Sequence, residues 1–188
     1  DAGVKTLVAT GDIPTAGKRE RNVRNGFKRP LKMTPSVVLQ GLARPLWALR
    51  FYATGGMPIM KNWAPYASDP NDANCVADLY GSQTPAPGIK WDTIERMRAS
   101  WEGTLIIKGI LDPRDAERCA AIGLDGIIVS NHGGRQLDRA PSALEMLPAI
   151  NRAVGDKLVV MMDGGIRRGA DIVTALALGA KAVFFGRP

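Results

Sequence analysis

The sequence predicts an α/β fold built on a parallel sheet. Two observations predict it. Short, fully apolar runs alternate with amphipathic stretches through the second half of the chain, which is how strands covered on both faces by crossover helices read. The runs recur roughly every 20 to 30 residues, the size of a βα unit.

The elements follow in order. Val4 to Thr10 reads as the first strand, and a basic loop comes after it. Pro35 to Tyr52 has helical spacing, with Pro45 expected to kink or split it. Gly55 to Gly88 is rich in Gly, Pro, Asn and Asp. That is long for a plain connection and predicts a functional or partly disordered loop, within a loop and helical insertion at about 28–88. Trp91 to Trp101 is a helix leading into the strand Leu105-Ile106-Ile107. A helix from Asp112 to Ile122 follows, with Asp112 as N-cap and Pro113 at the first helical position. Gly126 to Val129 is the third strand, and Ser142 to Ala153 the next helix. Leu158 to Met162, a helix from Ala170 to Leu178, and Ala182 to Phe185 complete the series. Gly123 and Gly179 stand where helices should stop.

Five strands fall short of the eight that close a barrel. The start, Asp1-Ala2-Gly3-Val4, carries no initiator Met and no signal-peptide pattern. The expectation is therefore about the last five strands of a (β/α)8 TIM barrel, with residues 1–188 as its C-terminal part. A doubly wound open sheet is the alternative, but no Gly-x-Gly-x-x-Gly follows a first strand.

Composition narrows the function. The 188 residues suit one domain, and 45% hydrophobic with 23% charged residues is ordinary for a globular protein. No run reaches the roughly 18 apolar residues of a membrane span. Two cysteines make no disulfide framework, so a reduced cytoplasmic setting is expected, with Cys119 a small core residue. A single histidine and no ligand cluster predict no metal. The net charge of +7 is uneven: Lys18 to Lys32 holds seven bases against Glu20, leaving the remainder about +1. A solvated loop, an anionic substrate, an anionic membrane surface or nucleic acid would each fit. No nucleic-acid motif accompanies the bases.

In α/β barrels the reacting groups lie at the carboxyl ends of strands. The five ends here are Thr10-Gly11-Asp12, Lys108, Ser130-Asn131-His132-Gly133-Gly134-Arg135, Asp163-Gly164-Gly165-Ile166-Arg167 and Gly186-Arg187. Each delivers polar groups to one rim. His132 is a candidate base, because imidazole titrates near neutral pH; a lone structural histidine is the competing reading. Asp12 can hydrogen-bond its ring and stabilise the protonated form, or serve as a turn former before Pro14. Arg135 and Arg19 offer planar forks for a carboxylate, although Arg19 sits in a basic loop. Asp163 to Arg167, with Gly186 and Arg187, resembles the phosphate site of barrels, where backbone N–H groups and a helix N-terminus meet the anion. Lys108 sits over a cofactor or substrate, or pairs with a neighbouring carboxylate.

These residues resemble one family closely. Ser130-Asn131-His132-Gly133-Gly134-Arg135-Gln136-Leu137-Asp138 matches the signature of the FMN-dependent 2-hydroxy-acid dehydrogenases and oxidases. Thr10-Gly11-Asp12-Ile13-Pro14, Arg19 with Arg24-Asn25, Lys108-Gly109 and Asp163 to Gly169 match in the family's order. The resemblance implies oxidation of a small L-2-hydroxy acid, of lactate, mandelate or glycolate type, to the 2-keto acid. It implies that His132 is the base, paired with Asp12, and that Arg135 and Arg19 bind the substrate carboxylate. It places Lys108 near flavin N1 and O2, where it stabilises the reduced ring, and has Thr10 and Ser130 touch the flavin. Asp163, Gly164, Gly165, Ile166 and Arg167, with Gly186 and Arg187, would hold the ribityl chain and phosphate. The protein supplies position and electrostatics while FMN carries the redox chemistry. Quinone or oxygen is the electron acceptor and a homotetramer the assembly that the family implies.

The sequence departs from the family in two ways. The family barrel's first half, with further flavin contacts and substrate-facing tyrosines, has no counterpart, so the isolated chain is expected to bind FMN poorly. Gly11 stands where a larger apolar residue is usual. In some members the segment after the basic loop attaches to the membrane, and Leu42 to Tyr52, with Arg44, Trp47, Arg50, Phe51 and Tyr52, has the basic and aromatic character for peripheral contact with the inner face of the cell membrane. The Trp91 helix, Leu111-Asp112-Pro113 and the long loop resemble the bacterial lactate and mandelate dehydrogenases more than plant glycolate oxidase, and dehydrogenase and oxidase differ only in what reoxidises the flavin. Two other readings remain: a different phosphate-gripping FMN barrel such as an isomerase, which has no need of His132 and Arg135 together, and a basic membrane- or nucleic-acid-binding module without flavin.

Overall fold

The computed structural model describes residues 3–13, 20–26, 34–83 and 89–186. In chain order the elements are β1 (Thr6–Thr10), α1 (Glu20–Arg24), α2 (Pro35–Leu42), α3 (Pro45–Ala53), a 3-10 turn (Ala64–Tyr66), α4 (Ala73–Gln83), α5 (Trp91–Ser100), β2 (Thr104–Ile110), α6 (Pro113–Ile122), β3 (Gly126–Val129), a 3-10 turn (His132–Gly134), α7 (Ala143–Val154), β4 (Val159–Asp163), α8 (Gly169–Ala177) and β5 (Ala182–Phe184). They form two compact units, Asp1–Gly17 with Ala86–Pro188, and Lys18–Pro85.

The first unit is a five-stranded parallel sheet in the order β1-β2-β3-β4-β5. Each strand lies beside its successor in sequence. A doubly wound sheet reverses its strand order at a switch point, and this one does not. The fold is α/β, with the strand order of a β/α barrel, and the described residues hold five strands where eight close one. Thr10 pairs with Lys108, Lys108 with Ile128, Ile128 with Met161, and Asp163 with Phe184. The register aligns the carboxyl ends on one rim.

Alternation along each strand separates core from rim. Leu105 and Ile107, Ile127 and Val129, and Val160 and Met162 share one core with Ala116 and Cys119 of α6 and Leu147, Ile150 and Val154 of α7. Each large side chain buried there is worth about 1.5–3 kcal/mol. The intervening positions, Lys108, Ser130 and Asp163, face the opposite side. At the amino ends, Arg98 Nη1 pairs with Asp125 Oδ2 at 2.9 Å, and the same oxygen accepts from Leu105 N at 2.8 Å. Arg98 also donates to the carbonyls of Trp101 and Gly103, which ties α5 to the start of β2.

Helix boundaries follow their caps. Asp112 accepts from Arg114 N at 2.9 Å, and Ser142 accepts from Glu145 N at 3.2 Å, each satisfying an orphan donor of the first turn. β2 runs from Thr104 to Ile110, longer than its apolar run suggests, because Lys108 and Ile110 continue the ladder on either side of Gly109.

The second unit is helical. Pro45 splits the expected Pro35–Tyr52 helix into α2 and α3, since its ring cannot continue the helical hydrogen bonds. Trp47 stacks on Phe51 with centroids 5.2 Å apart. The expected long loop instead contains the 3-10 turn and α4. Asp72 takes Asn74 N at 2.8 Å, Val76 is fully buried, and Trp63 meets Tyr80 edge-on at 5.5 Å. The Ala, Asn, Gly and Ser content of α4 hides its periodicity.

Burial, reinforced by the negative charge of Asp115, pushes the Cys119 thiol from 9.0 up to about 12. The folded state therefore keeps the thiol protonated while the unfolded chain ionises it first. Its contribution to stability is whole below pH 9 and is lost as pH rises toward about 12. We expect alkylation of the native protein to label the partly exposed Cys75 and spare Cys119, and denatured protein to label both, as read by peptide mass mapping.

Candidate functional site

Four strand ends of the sheet unit converge. Asp12, two residues past β1, is 9% exposed at its side chain, and its Oδ1 lies 2.9 Å from His132 Nδ1. His132 follows β3 in a left-handed conformation, φ 57. Asn131 holds that turn from both sides: its Oδ1 accepts from Gly134 N at 3.1 Å and its Nδ2 donates to the Pro141 carbonyl at 3.2 Å.

Ser130 is fully buried. Its hydroxyl accepts from Lys108 Nζ at 2.9 Å and from His132 N at 3.0 Å, and donates toward Asp12 Oδ2 at 3.4 Å. One donor and two lone pairs are thereby engaged. Lys108 Nζ also lies 3.4 Å from Asp12 Oδ2 and 3.3 Å from Asp163 Oδ2. A mostly buried ammonium needs such partners to offset its lost hydration. Both sequence readings of Lys108 meet here, because the ion pairs hold it on the rim.

Asp163 uses one oxygen on Lys108; the other, Oδ1, is buried with no hydrogen-bond partner among the described residues. A buried acceptor without a donor is costly, so the atom marks a place for an incoming hydroxyl or N–H. Gly164 and Gly165 follow with φ 87 and 75, values that favour glycine. Asp171 then accepts from Arg167 N and Arg168 N, both at 2.9 Å, which stabilises the start of α8 and holds the Asp171 carboxyl below its ordinary value. A cleft of about 380 Å³ opens among Asn131, Gly133, Ser142, Gly165, Ile166 and Asp171.

The structure thus brings together Asp12, Lys108, Ser130, His132 and Asp163. Thr10 stands beside Lys108 in the ladder. Arg135 is exposed and makes no ion pair among the described residues, Arg167 is exposed, and Gly186 lies exposed after β5. Arg19 and Arg187 lie outside the described residues. The role of Asn131 goes beyond what the rim pattern indicates; an Asn just past a buried strand and two residues before a Gly pair is the sequence signal for such a turn.

The chain matches the family model described as FMN-dependent dehydrogenase over residues 1–188. It is 45% identical over 188 residues to an L-lactate dehydrogenase of Pseudomonas syringae pv. syringae, covering 99% of this chain and 48% of the relative. Another L-lactate dehydrogenase, from Azorhizobium caulinodans, gives the same identity and coverage. Among solved structures, a monotopic membrane protein, (S)-mandelate dehydrogenase, superimposes with a TM-score of 0.86 at 43% identity, covering 98% of this chain and 48% of that one. A mandelate oxidase in complex with (S)-2-phenylpropionate gives 0.68 at 34% identity, covering 100% and 42%. The chain spans about half the length of these relatives.

Removing the Ser130 hydroxyl would leave the His132 N–H and one Lys108 donor without a partner in a buried place. Ser130→Ala should lower the urea midpoint by the equivalent of about 1–3 kcal/mol, and Ser130→Thr should recover part of the loss.

Proposed function

Because the chain belongs to the FMN-dependent dehydrogenase family, we propose that it contributes to an enzyme that oxidises a small L-2-hydroxy acid, of lactate or mandelate type, to the 2-keto acid. The observation that carries this reading is the 2.9 Å contact of His132 Nδ1 with Asp12 on a rim that also holds Lys108 and Asp163. The names of the lactate and mandelate relatives support the substrate class.

The residues fit FMN. The partnerless Asp163 Oδ1 is an acceptor suited to a ribityl hydroxyl, and the Gly164-Gly165 turn and Gly186 offer backbone close to a phosphate. Lys108, Thr10 and Ser130 would line the ring, with Ile166, Arg167 and Arg187 completing the cradle. When bound, FMN supplies the acceptor for the two electrons that leave the substrate.

Asp12 orients the imidazole through Nδ1 and leaves Nε2 to take the substrate's proton. The same carboxylate then stabilises the imidazolium that results. Arg135 is free of ion pairs among the described residues and can swing to a substrate carboxylate, with Arg19 as its second clamp. Quinone is the acceptor in the dehydrogenase reading and oxygen in the oxidase reading, and a homotetramer is the proposed assembly.

Peripheral attachment to the inner face of an anionic membrane is the second part of the proposal. From Arg21 to Ser68 the sequence has eight bases and no acid. In the helical unit, Leu39, Leu42, Leu46, Trp47, Leu49 and Tyr52 are each more than 59% exposed. No helix among the described residues is long and apolar enough to cross a membrane, whereas apolar side chains beside bases suit an interfacial position. The relative described as a monotopic membrane protein supports this.

In the full-length protein, anaerobic L-lactate or (S)-mandelate should bleach the visible flavin band. His132→Ala should slow bleaching by about 10²–10⁴-fold with FMN retained. A flavin that binds but is never bleached by any 2-hydroxy acid would redirect the reading to another FMN-barrel reaction. Sedimentation with phosphatidylglycerol vesicles should fall in Arg44→Glu/Arg50→Glu and in high salt; binding that is indifferent to both would remove the membrane proposal.

A further inference from the structure

β2 does not run evenly beside β3. Lys108 pairs with Ile128, but the next pair is Ile110 with Val129, so Gly109 is an extra residue in the ladder. Its φ of 104 lies where side chains are rarely tolerated. The bulge has two consequences. It keeps Lys108 toward the rim while returning Ile110, 7% exposed, to the core. It also lets β1's continuation cross β2 closely: Gly11 N donates to the Lys108 carbonyl at 2.9 Å, and Asp12 passes directly over Gly109. A Cβ on residue 109 would overlap Asp12 Cβ and fall 2.7 Å from its Cγ and 2.9 Å from its N. Those are backbone and near-backbone atoms, which cannot step aside as the tip of a long side chain can.

We propose that Gly109 is a positioning residue for the His132–Asp12 pair: the space left by its missing side chain is the seat of Asp12. Only with residue 109 bare does the Asp12 carboxylate lie low enough to meet His132 Nδ1 on one side and Lys108 Nζ on the other. The inference rests on the reading of His132 as the base. Its geometric part, the dependence of the Asp12–His132 hydrogen bond on Gly109, stands apart from the reaction.

The test is a double-mutant cycle in the full-length holoenzyme, using Gly109→Ala and Asp12→Gly, the latter removing the Asp12 Cβ and Cγ, the two nearest atoms that an added methyl would strike, and leaving the approach to the backbone N common to both backgrounds. Alanine at φ 104 is strained in either background, so that cost cancels in the cycle and the steric coupling remains. Gly109→Ala alone should lower kcat by about 10²-fold, the low end of what a positioned base contributes, with little change in KM. It should also abolish the downfield proton signal of His132 Nδ1–H, assigned by its absence in His132→Gln. In the Asp12→Gly background the same substitution should change kcat by less than about two-fold, and it should cost less stability there than in the native background. If Gly109→Ala alone does not fold, recovery of folded, FMN-loaded protein on adding Asp12→Gly supports the seat, and failure to recover it overturns the proposal. Retention of the His132 signal and of kcat in Gly109→Ala, or equal losses in both backgrounds, also overturns it. Loss of the signal while His132→Ala itself remains active would keep the positioning and reject His132 as the base.

Discussion

Lys108 Nζ sits between two carboxylates, 3.4 Å from Asp12 and 3.3 Å from Asp163, with the Ser130 hydroxyl at 2.9 Å. At 19% side-chain exposure this ammonium has given up most of its hydration. Nothing apolar could replace that loss, so the two acids must reach it. They come from strands on either side of it, Asp12 from beyond β1 and Asp163 from the end of β4, and Ser130 comes from the end of β3. One largely buried cation therefore ties together four strand ends whose heights the ladder register sets. The His132 ring, which shares Asp12, takes its place as a consequence.

The sheet makes that convergence cheap. Parallel strands in sequential order bring every carboxyl end to the same rim. The two-residue period then sends one set of apolar side chains under α6 and α7, and turns Lys108, Ser130 and Asp163 to the other face, in register with the buried Ile128 and Met161. The apolar side is closely packed: Leu105, Ile107, Ile127 and Leu147 are at most 1% exposed. Such a core resists sliding of one strand past another, because a one-residue slip would exchange the two faces. The departure from regularity at Gly109 is local, and it falls where the polar cluster needs space.

The helical unit obeys a different balance. It buries Val76 fully, and it presents large apolar side chains beside arginines. A basic, apolar surface with no acid from Arg21 to Ser68 suits contact with something anionic and partly apolar better than exposure to water alone. Its charge explains the uneven +7 of the chain, which the sheet unit does not require.

The sequence by itself determined the strands, the helices α5 to α8 with the Asp112 cap, and the placing of Asp12, Lys108, Ser130, His132 and Asp163 at strand ends, because these depend on short-range patterns: apolar runs, helix caps and the positions just past strand ends. Family membership was legible for the same reason, in the nine residues from Ser130 to Asp138 and the shorter matches around Asp12, Lys108 and Asp163. α4 was not legible, since its helix depends on burial of Val76 and on Trp63 meeting Tyr80 rather than on its own composition. Only the tertiary structure decided that Lys108 pairs with both Asp12 and Asp163, that the Ser130 hydroxyl binds the backbone of His132, and that Asp12 lies over Gly109. Asp12 and His132 are 120 residues apart. No local pattern encodes a distance between such residues; it is set by strand register and by which atoms exclude one another when the sheet packs.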